Sequence, residues 1–234
     1  MKIAILDVCS PEPEFDAHGS IGDMVRAWLS PHLPEATFPI LHIAGDDTLP
    51  MVGAYDGYIV TGSEKGVYDE ADWMEPLRDF IRAARAAKTP IFGVCFGHQI
   101  MADALGGKAE KVDKGFVIGA KTFDYAGGAI EAHAMHQDQV TAVPPDAKVI
   151  ASAPYCPVAA LKYEFPALSV QFHPEYRRAF VEDALEVLDG LVGSPSDFTE
   201  GRKTMPDANV SEDLFGAEAA VFFRTHLGVR AEAV

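Results

Sequence analysis

The 234-residue sequence predicts an α/β domain with a mostly parallel central sheet covered by helices. Short, mostly apolar runs stand at 2–8, 57–62 and 89–95, as strands buried on both faces do. Between them lie segments with apolar residues three and four apart, the stripe of an amphipathic helix. Strand followed by helix, repeated, implies right-handed crossovers and hence a parallel sheet.

In chain order, 2–8 is the first buried strand. Residues 20–33 place Ile21, Met24, Val25, Trp28 and Leu29 on one helical face. Runs 37–43 and 57–62 are the next strands. Residues 73–88 form a helix, acidic ahead of its start and rich in Arg toward its end, as the helix dipole favours. Run 89–95 is a fourth strand, and 96–107 is a helix closed by the pair Gly106 and Gly107. After Lys108 the texture turns β-rich: 115–123 and 129–144 read as an excursion, and 147–154, 156–163 and 167–174 as three more strands between turn signals. Residues 177–192 return to helix. The Pro, Ser, Asp and Gly of 193–209 predict a loop, and 211–227 a terminal helix. The division expected is one domain over 1–192, with a loop and helix over 193–234 packed on it.

A net charge of −16 argues against a nucleic-acid partner, since a phosphate-binding surface is normally a basic patch. Three cysteines, Cys9, Cys95 and Cys156, are too few and too scattered for a secreted disulfide framework, so a reducing cytoplasm is expected. No signal peptide and no run of about 18 apolar residues is visible, so a soluble, unprocessed protein without membrane contact is expected.

The stretch Gly93-Val94-Cys95-Phe96-Gly97 stands where an apolar run ends and a helical pattern begins. It has the spacing of the G-x-S-x-G nucleophile elbow with sulfur in place of oxygen. A sharp turn leaves no room for side chains at the flanking positions, hence Gly93 and Gly97. The helix N-terminus brings unpaired N–H groups to the sulfur. The competing reading, a cysteine serving as a small buried hydrophobe, does not account for the two glycines. A nucleophilic thiol needs a base and an orienting group. The segment "SVQFHPEY", 169–176, supplies both: Pro174 holds His173 extended, and Glu175 reaches its far ring nitrogen. Taken alone, His-Pro-Glu would be an ordinary helix start; its place after the last strand, downstream of the elbow, favours the catalytic reading.

Together "GVCFGHQ", "FHPE" and "VTGS" resemble the class I glutamine amidotransferases of the Cys-His-Glu type, over about residues 2–192. The resemblance implies a flavodoxin-like layered sandwich. It also implies attack of Cys95 on the side-chain amide of glutamine, giving a γ-glutamyl thioester and ammonia. His173 would move the proton and Glu175 would orient the imidazole. The oxyanion donors would be the backbone N–H groups of Phe96 and of the Gly62-Ser63 turn. Gln99, His136, Gln137 and Asp138 would line the substrate pocket. Where many members carry Gly-Gly-Pro and Ser-His-Gly-Asp segments, this chain has Thr61-Gly62-Ser63 and Met135-His136-Gln137-Asp138. That combination is similar to the stand-alone branch, which includes γ-glutamyl peptidases acting on glutathione-like conjugates.

No G-x-x-x-x-G-K-[ST] phosphate loop occurs, and the residues after Val192 are too few for an acceptor-activating ATP domain. Three readings therefore stay open: glutamine hydrolysis feeding ammonia to a separate synthase subunit, hydrolysis of a γ-glutamyl peptide or amine, and a non-catalytic module of the same fold. No cofactor is implied. His133, His136 and Asp138 lack a further ligand at zinc spacing, so no metal is expected. His98 reads as a supporting or helix-start residue, and Cys9 and Cys156 as small core residues.

Overall fold

The computed structural model describes residues 1–228. Residues 229–234 of the predicted 193–234 segment lie outside the described residues. The parallel half of the sheet is built from β1 (Ile3–Asp7), β2 (Ile40–His42), β3 (Gly57–Val60), β4 (Ile91–Val94) and β11 (Ala167–Val170), in the order β2-β1-β3-β4-β11. This is the 2-1-3-4-5 order of flavodoxin-like folds. Every residue of β1, β3 and β4 is buried, which is why these strands read as near-continuous apolar runs, broken only by the buried Asp7 at the end of β1.

Helix α1 (Ile21–Leu29) opens on a capping box: Ser20 Oγ accepts from Asp23 N at 3.1 Å, and Asp23 Oδ2 accepts from Ser20 N at 3.1 Å. It ends ahead of Pro31, short of the predicted residue 33, because proline cannot continue the ladder. Helices α2 (Met74–Ala87) and α3 (Phe96–Ala104) follow β3 and β4. Leu77, Phe80 and Ile81 of α2 join Ile100 and Met101 of α3 in the core on one face of the sheet. The other face is covered by Val25, Trp28 and Leu29 of α1 with Phe215, Phe222 and Phe223 of α6 (Glu212–Leu227).

The α/β class with a parallel centre between helices is borne out, and the β-rich excursion has a definite place in it. Strands β10 (Cys156–Tyr163), β9 (Ala147–Ala153), β6 (Val117–Tyr125) and β7 (Gly128–His136) extend the same sheet antiparallel to nine strands. Among the described residues, β5 (Lys108–Lys111) and β8 (Asp138–Ala142) form a separate two-stranded ladder.

One expectation is corrected. The stretch read as a loop, 193–209, contains helix α5 (Pro195–Thr204), packed on β6 and on α4 (Arg178–Val187). Its start is pinned by Asp197, whose Oδ2 accepts from Ser194 N at 2.8 Å and Phe116 N at 3.1 Å. Proline at the first helical position and Asp three residues after Ser194 are start signals, not loop signals. Phe198 is fully buried in a third apolar cluster with Phe15, Ile118, Tyr176 and Phe180.

Candidate active site

The parallel register decides which residues meet. Val94 pairs with Val170 and Val60 with Gly93, so the carboxyl ends of β3, β4 and β11 finish side by side. The chain leaving these three ends carries Thr61-Gly62-Ser63, Cys95-Phe96 and 171–176, and ligand crevices of open α/β sheets lie outside such ends.

Cys95 sits at φ 50°, ψ −103°, a conformation that costs a non-glycine residue energy. It is held there by Cys95 N donating to Val170 O at 2.8 Å and Gly97 N to Thr61 O at 3.1 Å. A Cβ on Gly93 would lie 2.6 Å from Met101 Sδ, and one on Gly97 would run into the Val60 carbonyl, so both flanking positions need glycine. Gly62 presses against the pair: a Cβ there would be 3.2 Å from His173 Cε1 and 3.7 Å from Cys95 Cβ. The N–H of Phe96, first residue of α3, has no partner four residues back in the helix.

His173 and Glu175 are buried, with Nδ1 to Oε1 at 2.8 Å. A carboxylate only accepts, so Nδ1 donates this bond in either charge state, and Nε2 is the nitrogen left to exchange a proton with the thiol. Nε2 makes no contact of full hydrogen-bond geometry among the described residues, and Cys95 is the group besides Glu175 that acts on the ring. Burial works against a charged ring here, but Glu175 and then Cys95 outweigh it and raise the His173 pKa above its ordinary value. The ring is fixed from outside as well. His173 N donates to His133 O at 2.8 Å, His133 Nδ1 donates to Tyr176 O at 2.8 Å, and the Tyr176 ring stacks on His173 at 3.9 Å and 4°.

Behind the sulfur runs a buried amide chain that sequence reasoning missed. Gln171 Nε2 donates to Cys95 Sγ at 3.5 Å, and its Oε1 accepts from Gln99 Nε2 at 3.2 Å. Gln99 Nε2 also donates to Asp138 O at 3.0 Å, so Gln99 orients Gln171 as well as lining the pocket. The signal was available: a glutamine between apolar residues of "SVQFHPEY" must find buried partners.

A cavity of about 400 Å³ opens in front of Cys95. Of the residues singled out from sequence, Gly62, Ser63, Cys95, Gln99, His136, Gln137, Asp138 and His173 line it. Glu175 lies behind His173, and Gly93, Gly97 and the Phe96 side chain are outside the lining. Burial lowers the His136 pKa to about 3, so the ring is neutral, and its Nδ1 donates to Asp138 O at 3.0 Å. Burial raises the Asp138 pKa, while Tyr68 OH donates to its Oδ1 at 3.2 Å. His98 is spent inside the core on Ser169 Oγ at 2.8 Å and Val158 O at 3.1 Å, and burial lowers its pKa to about 4. Cys156 is core as expected; Cys9 is not, being part-exposed on the cavity wall. Burial, with Glu64, Glu12 and Asp7 nearby, pushes its thiol pKa up. Among the described residues no three His, Cys, Asp or Glu side chains are grouped to hold a metal.

A parallel sheet of this order, with a strained cysteine at an elbow and a buried His-Glu pair beside it, defines an α/β domain organised around a cysteine. The family model "Glutamine amidotransferase class-I" matches residues 36–181, and the chain belongs to that family. Gamma-glutamyl peptidase 4 of Arabidopsis thaliana is 28% identical over 175 residues, covering 69% of this chain and 70% of that protein. A glutamine-hydrolyzing GMP synthase of Aromatoleum aromaticum is 35% identical over 136 residues, covering 51% of this chain and 25% of that protein. A glutamine amidotransferase structure from Thermotoga maritima superposes with a TM-score of 0.74 over 97% of this chain and 98% of that one, at 15% identity, a likeness of fold.

Proposed function

We propose that this chain hydrolyses a γ-glutamyl amide, glutamine being the simplest, through a covalent thioester on Cys95. The observation that carries the reading is Cys95 at the strained elbow beside His173, whose ring is anchored by Glu175 through Nδ1, leaving Nε2 for the thiol proton. His173 takes the thiol proton, and sulfur attacks the amide carbon. Negative charge on the tetrahedral oxygen is met by the N–H of Phe96 and those of the Gly62-Ser63 turn, each such donor being worth about two to three orders of magnitude in rate. As the C–N bond breaks, His173 gives its proton to the departing amine. Water then attacks the thioester with His173 as base, releasing glutamate and the thiol. Glu175 stabilises the imidazolium, and Gln171 supports the sulfur. Gln99, His136, Gln137 and Asp138 hold the glutamyl group.

The γ-glutamyl peptidase relative, matched over 70% of its length, favours an amine larger than ammonia as a second reading. In the glutamine reading a separate synthase subunit would receive the ammonia. We place the protein in a reducing compartment, the cytoplasm, because the chemistry needs Cys95 free and all three cysteines are unbridged. Among the described residues no helix is long and apolar enough to cross a membrane.

The test is release of glutamate and ammonia from glutamine by wild type and Cys95→Ala. Wild-type turnover reduced more than about a thousandfold by the substitution is expected. Equal turnover by both proteins would refute the assignment.

A further inference from the structure

The cavity in front of Cys95 has two chemically different halves. On one side Asp138 is the hub: it faces Lys111 across the β5–β8 ladder, receives the Tyr68 hydroxyl, and a Cβ on Gly66 would touch its Oδ2 at 2.7 Å. Lys111, Gln99 and Gln137 line the cavity with it, as does Lys65, which is paired with the lining Glu64 at 3.5 Å, so donors and charges of both signs stand there for an α-amino acid group. The opposite side is apolar. Tyr176 stacks on His173, Phe180 packs on Tyr176 at 4.5 Å, and Phe15 on Phe180 at 5.2 Å. Ile21, Phe116 and Leu188 pack against the same cluster and line the cavity too.

The chemistry orients a substrate between these halves. His173 must reach the departing nitrogen to protonate it, so the amine leaves past His173, along the Tyr176 and Phe180 wall. The glutamyl zwitterion then occupies the polar side. Ammonia would use none of the apolar wall. A dipeptide such as that of glutathione would bring a carboxylate toward Glu12, which lines the cavity at the start of the turn carrying Phe15 and forms no ion pair among the described residues. Both lining lysines stand on the polar side, where Lys111 faces Asp138 and Lys65 precedes Gly66.

We infer that the amine released is apolar, of up to aromatic size, and carries no carboxylate. This rests on the γ-glutamyl amidase reading and narrows its substrate class. The bond broken is the γ-glutamyl C–N bond, the amine leaves with the proton from His173, and water supplies the oxygen of glutamate.

The experiment compares kcat/KM for γ-glutamyl phenethylamide, γ-glutamyl methylamide, glutamine and glutathione, with Cys95→Ala as blank. Phenethylamine and methylamine have similar basicity, so their ratio reads the pocket and not leaving-group reactivity. The phenethylamide should exceed the methylamide, glutamine and glutathione by about tenfold or more, the effect of burying one aromatic ring. Val192 lines the cavity and is 39% exposed, so a larger side chain there need not displace core residues. Val192→Trp should fill the apolar half and cut the phenethylamide to methylamide ratio about tenfold. Glu12→Gln should raise glutathione turnover relative to the phenethylamide. Cys95-dependent turnover that prefers glutamine or glutathione would overturn this inference and leave the amidase reading standing. No Cys95-dependent turnover of any of the four would overturn both.

Discussion

Cys95 unites a strained turn, a helix start and the candidate nucleophile in one residue. Its position at an elbow was legible because two glycines flank it, and the structure gives the reason: Met101 and the Val60 carbonyl occupy the space their side chains would need. The His173-Glu175 pair was legible because Pro174 sets the geometry between them. Gln171 was not, because its role depends on Gln99, 72 positions earlier, across strands whose neighbourhood sequence does not print. Gln171→Leu, which keeps volume and removes the donor to sulfur, should lower kcat/KM about 10- to 100-fold with the fold retained by circular dichroism. An unchanged rate would remove Gln171 from the site. The Glu175 pair also has a pH signature. The free imidazole titrates at about pH 6.5, and folding raises that value at His173, so the charged ring adds stability that is complete below about pH 6.5 and fades as pH climbs through the native value. The excess thermal midpoint of wild type over Glu175→Gln should therefore be largest in mildly acidic buffer and narrow in alkaline buffer. A gap that widens with pH would contradict the assigned pair.

At the scale of elements, the helices with amphipathic stripes, α1 and α2, and the all-buried strands were readable from local pattern alone. Helix α5 was not, because Pro, Ser and Asp serve both turns and helix starts, and only two of its residues, Phe198 and Gly201, are buried. Its anchor is Asp197, which ties the helix start to Phe116 on the cavity wall. Asp197→Ala should cost about 1 kcal/mol, the usual worth of a cap, and lower the thermal midpoint by about 2–4 °C. A midpoint unchanged by the substitution would mean that α5 is held by apolar packing alone.

Across the whole molecule, sheet order is the least local property, and it was the least legible. The β-rich stretch gave strands but not the fact that four of them continue the main sheet, since that depends on pairings such as Asp124 with Ser152. The division at 192 is likewise a boundary of motif and not of core. Phe215, Phe222 and Phe223 of α6 pack in one cluster with Ile3, Ile59 and Phe92 of the parallel strands. Truncation after Val192 should therefore abolish the cooperative thermal transition, with loss of near-ultraviolet circular dichroism. A truncated chain that melts cooperatively near the full-length midpoint would make 1–192 a self-sufficient unit.

The covalent step at Cys95 can be read by intact-mass spectrometry of acid-quenched protein during turnover of a γ-glutamyl amide. Wild type should gain one γ-glutamyl group, localised to the peptide containing Cys95 and removed by hydroxylamine; Cys95→Ala should gain none, and Glu175→Gln less or more slowly. A γ-glutamyl group found on another residue, or turnover undiminished in Cys95→Ala, would contradict the account.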